Sequence, residues 1–165
     1  MSVKIKNRHQ LKRKEIQSII DELKQSFTQD FFYKNDSLET GEIKGTKVIL
    51  IDDEACFMIY KNQIIFTLKG LTKYSPKEKR VVIDMGAIKF VTSGADVMAP
   101  GIVDADHNIA EKDLVWICDE RHHKPIAVGT ALMNGDQMIV EKKGKAVVVI
   151  HYVGDTLWQL TAKSL

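Results

Sequence analysis

The residues with the most chemistry in one place are Asp84-Met85-Gly86-Ala87-Ile88-Lys89-Phe90-Val91-Thr92-Ser93-Gly94-Ala95-Asp96-Val97-Met98-Ala99-Pro100-Gly101-Ile102. Gly86 lacks a Cβ and allows a sharp turn after a strand at 80–84. Residues 87–93 read as two turns of helix, with Gly94 where a left-handed C-cap belongs. Pro100-Gly101 carries type II turn chemistry, proline fixing φ and glycine supplying φ > 0. Helix-end amides, small residues and Lys89 then share one compact face. That face suits a backbone-rich polar ligand such as RNA better than it suits hydrolysis. The same glycines would equally serve a tight structural corner.

Other clusters offer less. Asp52-Asp53-Glu54 are three adjacent acids on a turn and point in different directions. Cys118, His107, His122 and His123 include a thiol and three imidazoles, but the Cys-x3-His spacing is loose and no second Cys pair exists. The segment 120–124 reads as a solvated hairpin tip, from which Arg121, His122 and Lys124 could help to grip RNA. Asp104 and Asp106 share a strand face but run into the turn at His107-Asn108. There is no Gly-x-Ser-x-Gly, P-loop or dinucleotide fingerprint. These readings imply no metal, no cofactor and no enzyme.

The chain has 165 residues, 44% of them hydrophobic and 28% charged, which fits one ordinary domain or two small ones. No apolar run approaches the ~20 residues of a membrane span. Residues 1–14 are basic without an apolar core, unlike a secretory signal. Two distant cysteines, Cys56 and Cys118, fit core packing in a reducing cytoplasmic setting. Net charge is +2, unevenly spread: residues 1–79 hold 15 Lys and Arg against 11 Asp and Glu, and residues 80–165 hold 9 against 11. Strong nonspecific nucleic-acid binders are more basic, so RNA contact must use a local patch or recognise shape.

Helical periodicity runs through Leu11, Ile16, Ile19-Ile20, Leu23 and Phe27 and predicts an amphipathic helix of roughly four turns. Lys12, Arg13, Lys14 and Lys24 occupy its other face, which reads as solvated surface or as a binding face. Strands are expected at 48–51, 56–60 and 63–66, the last two joined at Lys61-Asn62. Thr67 caps a short helix at 68–74, which Ser75-Pro76 ends. The polar segment 75–79 is the best domain boundary. Beyond it, strands are expected at 80–84, 101–104, 114–118, 126–131, 146–152 and 157–159, giving a small barrel or sandwich. Residues 134–140 fit either a helix or a turn and strand.

The second half, through 86–102, Asp113-Leu114-Val115-Trp116, Pro125-Ile126-Ala127-Val128-Gly129 and the run 144–152, resembles a PUA domain. PUA domains are small RNA-binding barrels found on pseudouridine synthases and archaeosine transglycosylases. Lys73-Tyr74, Gly86-Ala87-Ile88-Lys89-Phe90-Val91, Ser93-Gly94-Ala95, Met98, Pro100-Gly101, Ile150-His151-Tyr152 and Leu157-Trp158 narrow the likeness. Together they resemble the malignant-T-cell-amplified-sequence proteins and their archaeal relatives. The implied architecture is an α+β N-terminal pre-PUA domain, residues 1–76, followed by a mostly-β PUA pseudo-barrel, residues 79–160.

The resemblance implies non-catalytic RNA binding in translation, on tRNA or small-subunit rRNA, during initiation, reinitiation or recycling. The eukaryotic relatives work on the small ribosomal subunit with a SUI1-domain partner. Delivery of RNA to a modification enzyme is an alternative, as is a protein-interaction adaptor built on a PUA fold. Carried onto this sequence, the RNA face comprises Gly86, Lys89, Ser93, Gly94, Ala95, Met98, Pro100, Gly101, Arg121, Lys145, His151 and Tyr152. Lys89 and Lys145 would meet phosphates, while His151 or Tyr152 would stack or hydrogen-bond. Phe90 reads as a core plug, and Trp116 and Trp158 as packing residues.

Overall fold

A computed structural model describes residues 4–162. Residues 1–3 at the start of the basic segment lie outside the described residues. The chain forms two compact units, one of residues 1–77 with 156–165, the other of residues 78–155.

The first unit is built on a five-stranded antiparallel sheet in the order β1-β2-β3-β4-β5. The strands are β1 (Lys6–Gln10), β2 (Leu38–Ile43), β3 (Thr46–Ile51), β4 (Glu54–Tyr60) and β5 (Gln63–Phe66). Helix α1 (Arg13–Lys24) buries Ile16, Ile19 and Leu23, the expected stripe, over three turns. Phe66 packs against Phe27, Phe31 and Phe57 at centroid distances of 5.3, 5.1 and 4.6 Å. The β4–β5 turn has positive φ at both Lys61 (47°) and Asn62 (63°), the conformation a two-residue hairpin requires. Helix α2 (Leu68–Tyr74) starts as the sequence indicates: Thr67 Oγ1 accepts a hydrogen bond from Gly70 N at 3.1 Å.

The second unit carries a six-stranded mixed sheet in the order β7-β11-β10-β9-β6-β8. These are β6 (Arg80–Ile83), β7 (Val97–Met98), β8 (Ile102–Ala105), β9 (Leu114–Asp119), β10 (Pro125–Ala131) and β11 (Lys145–Tyr152). Among the described residues only the β6–β9 pair is parallel. Its core includes Val81, Ile83, Ile102, Ile117, Met138 and Val147. Residues 134–140 resolve as helix α4 (Gly135–Val140), because the Asn134 side chain accepts from Gln137 N while the Gln137 side chain accepts from Asn134 N.

Three expectations change. Strands β1, β2 and β7 carry no expected strand signal, yet all three form. The segment 157–159 is not a strand but part of α5 (Thr156–Ala162), which buries Leu157 and Thr161 at helical spacing. That helix clusters with the first unit, whereas the sequence reading ran the second domain to residue 160. Lys69 Nζ donates to the Thr161 carbonyl at 3.0 Å there.

Candidate nucleic-acid interface

The chain leaves β6 at Asp84, whose Oδ1 accepts from Ala87 N at 2.8 Å and sets the turn into α3 (Ile88–Val91). Val91 is the buried residue of this one-turn helix. Phe90, one position earlier, is rotated about 100° away and is 58% exposed. The reading of Phe90 as a core plug is therefore corrected. Its ring lies 5.1 Å from Lys89 Nζ, a cation–π contact.

The exit from α3 follows the sequence signal. Gly94 has φ +93°, and Gly94 N and Ala95 N donate to the carbonyls of Val91 and Phe90 at 3.0 Å each. Directly beneath lies Tyr152: a Cβ added at Gly94 would sit 3.0 Å from its hydroxyl. Pro100-Gly101 differs from the expectation. It lies in a 3-10 turn, Ala99–Gly101, and Gly101 is not among the positive-φ glycines. Its small size matters instead, since a Cβ there would stand 3.1 Å from that of Ala87. Gly86 likewise has no positive φ, and a Cβ there would only touch Asp84 Oδ1 at 3.4 Å.

These turns enclose an open groove of about 610 Å³. Of the sequence-derived site residues, Gly86, Ala95, Met98, Pro100, Gly101 and Lys145 line it, and Lys89 and Ser93 lie exposed on and just after α3. Tyr152 is half-buried under Gly94. Arg121 is exposed on the β9–β10 turn and is not part of the groove lining. His151 is 2% exposed, with Nδ1 bonded to Asp155 Oδ2 at 2.7 Å, so this ring is a core group and cannot stack on a base.

Six lining residues are missing from the sequence-derived set: Asp84, Ala87, Phe90, Val91, Asp96 and Val97. The Ala87–Val91 spacing marks the inward face of α3 and would have placed Phe90 outside it. Asp96 accepts from Val149 N at 2.9 Å and from Lys145 Nζ at 3.0 Å. Burial pushes this carboxyl up, but those two donors outweigh it and hold it below its ordinary range. Lys145 is thus tied to a carboxylate rather than open to phosphate.

The β9–β10 turn is fixed from inside by Asp119, which accepts from the amides of Arg121, His122 and Lys124 at 3.1, 2.8 and 2.7 Å. Burial pushes the Asp119 carboxyl up, but the three amides and the charge of His122 outweigh it and hold it below its ordinary range. His107 bonds to Asp136 at 2.6 Å and His123 lies beside Arg80.

Chemically, the groove has apolar walls in Phe90, Met98, Pro100 and Ala95, and two carboxylates, Asp84 and Asp96. It holds no serine, cysteine or histidine among its lining residues. A flat ring fits between such walls. A carboxylate oxygen accepts from a base amino group or a ribose hydroxyl and repels a phosphate. Lys89, by contrast, forms no ion pair among the described residues.

Two family models match this chain: the PUA domain over residues 79–153, and a domain of unknown function (DUF1947) over residues 7–74. The uncharacterized protein MJ1432 of Methanocaldococcus jannaschii is 45% identical, the match covering 94% of this chain and 98% of that one. Translation machinery-associated protein 20 of Eremothecium gossypii is 32% identical over 67% of this chain and 65% of its own length. Malignant T-cell-amplified sequence 2 of Homo sapiens is 30% identical over 70% and 66%. Among solved structures, the hypothetical protein PH0734.1 of Pyrococcus horikoshii superposes with a TM-score of 0.84 at 38% identity, covering 93% of this chain and 99% of that one.

Proposed function

This chain belongs to the family of proteins that join a DUF1947 (pre-PUA) domain to a PUA domain, and on that premise we propose that it binds structured RNA in translation, without catalysis of its own. One observation carries the reading: an open groove walled by Phe90, Met98 and Pro100, with Lys89 beside it, on a PUA domain. The groove takes an unstacked base, Lys89 meets the adjoining phosphate, and the close approach of backbone around Gly86 and Gly94 reads the shape of the strand. Relatives named for association with the translation machinery support a role in translation; tRNA or small-subunit rRNA as the RNA, and the small ribosomal subunit or a SUI1-domain protein as the partner, are what the family resemblance implies. A role in translation is in keeping with a cytoplasmic protein.

Crosslinking of RNA to the protein in its native cell, followed by sequencing, tests the proposal. The expected result is enrichment of tRNA or small-subunit rRNA that is lost in Phe90→Ala. No enrichment over a scrambled control would favour the adaptor reading, which the acidity of the second unit supports: nine Lys and Arg against twelve Asp and Glu over residues 78–155.

A further inference from the structure

Residues 4–14 hold six Lys and Arg, one His and no Asp or Glu. Every residue of β1 is exposed, and so are Lys4, Lys12, Arg13 and Lys14. Arg8 is engaged: its guanidinium reaches Glu39 and Asp53, each at 2.7 Å. The other five cations form no ion pair among the described residues.

Two folding roles fall short of explaining them. Cations on an edge strand block sheet-to-sheet aggregation, and β1 is an edge strand. That purpose is already met by Lys6, Arg8 and the irregular register between Lys6 and His9, where Asn7 has φ +54°. It does not reach Lys12, Arg13 and Lys14. Those three occupy the N-cap and first two positions of α1, where the helix dipole disfavours cations. Lys12 also offers no side-chain acceptor to the open amides, unlike the residues that favour this position. Only Glu15, accepting from Lys12 N at 3.0 Å, suits the site. Three cations are held where they weaken their own helix, a placement that an external anion would relieve.

We propose that residues 4–14 are a phosphate-tracking surface that gives the protein most of its electrostatic affinity for RNA. The proposal rests on the RNA-binding reading above and assigns a role to the unit of unknown function. β1 alone is about 17 Å long, so the cations at its two ends span several phosphates of one strand. No large exposed apolar side chain lies within 4–14, so nothing here would insert into a membrane.

The test uses the full chain and a labelled RNA hairpin with a single-stranded tail, titrated over a range of salt. Arg13→Glu/Lys14→Glu is expected to weaken binding about tenfold or more at low salt. The slope of log affinity against log salt should flatten by about 1.5, two contacts' worth. The same variant should melt at a higher temperature, because acids suit that helix end. If it melts lower, Arg13→Gln/Lys14→Gln carries the test and must flatten the slope in the same direction. Phe90→Ala should weaken binding with the slope unchanged. Wild-type affinity and slope in both patch variants would overturn the proposal and leave the groove reading standing. Absence of RNA binding by the wild-type chain would overturn both. Patch-dependent binding to phosphatidylserine vesicles in place of RNA would overturn the tracking surface alone.

Discussion

Lys145 and Lys14 both lie on surfaces proposed to face RNA, yet they are held very differently. Lys145 is tied to Asp96 at 3.0 Å, inside a groove that contributes a second carboxylate. Lys14 stands beside Arg13 and Lys12 with no acid paired to any of them among the described residues. The contrast extends to whole units: fifteen Lys and Arg against ten Asp and Glu in the first, nine against twelve in the second. A surface of unpaired cations attracts any phosphate chain and carries no sequence information. A groove with apolar walls and compensated charge attracts weakly and discriminates. On the proposed reading, the two regions divide affinity from selectivity.

That division can be broken at several strengths. Largest is backbone collision. A Cβ at Gly70 would fall 1.9 Å from the Cys56 carbonyl oxygen, and one at Gly129 2.3 Å from that of Val148. Gly70→Val and Gly129→Val should each destabilise their own unit by about 3 kcal/mol or more in urea titrations. Next, Asp119→Ala strips the acceptor from three turn amides and should cost about 2–3 kcal/mol, again read by denaturation. Phe90→Ala should cost about 1–3 kcal/mol of RNA binding, measured by fluorescence anisotropy, with the melting temperature nearly unchanged because the ring is exposed.

Smaller effects sharpen the comparison. Lys89→Gln should lower the salt slope by about 0.7–0.9, whereas Lys145→Gln should barely move it, since that charge is already neutralised. Finally, Asp119 and Asp96 both titrate below the ordinary aspartate value of 3.8 in the folded chain. Their stabilisation is complete above that value and is lost as pH falls through the lower folded values. Acid melts of Asp119→Asn should show less dependence on pH in that window than those of the wild type.

Much of the second unit was legible because its strands are short runs of β-branched residues between turn signals. Thr67 and Gly94 mark helix ends by local chemistry that no distant contact overrides, whereas the Asn134 cap left residues 134–140 undecided between helix and strand. β1, Lys-Asn-Arg-His-Gln, has no intrinsic strand character and exists because β2 offers it a pairing edge. His151 looked available since a strand gives alternate residues opposite faces, but Asp155, four residues on, claims its ring. Phe90 looked like core because aromatics in short helices near a barrel usually are. Only the position of Val91 on a one-turn helix decides otherwise. Tertiary pairing set the outcome for β1, whereas a contact four residues on and the phase of a single helical turn set those of His151 and Phe90.

Each unit also contains one cysteine, Cys56 in β4 and Cys118 in β9, and neither exposes any surface. Burial pushes both thiols up to about 12, so they are inert while the strands stay closed. A thiol reagent can reach either one only when its strand opens. The rates at which the two are modified are therefore two separate clocks on local opening, one in each half of the molecule. Engagement of either surface by a ligand should slow the clock of the unit it binds, so labelling kinetics with and without RNA would report which half has been grasped.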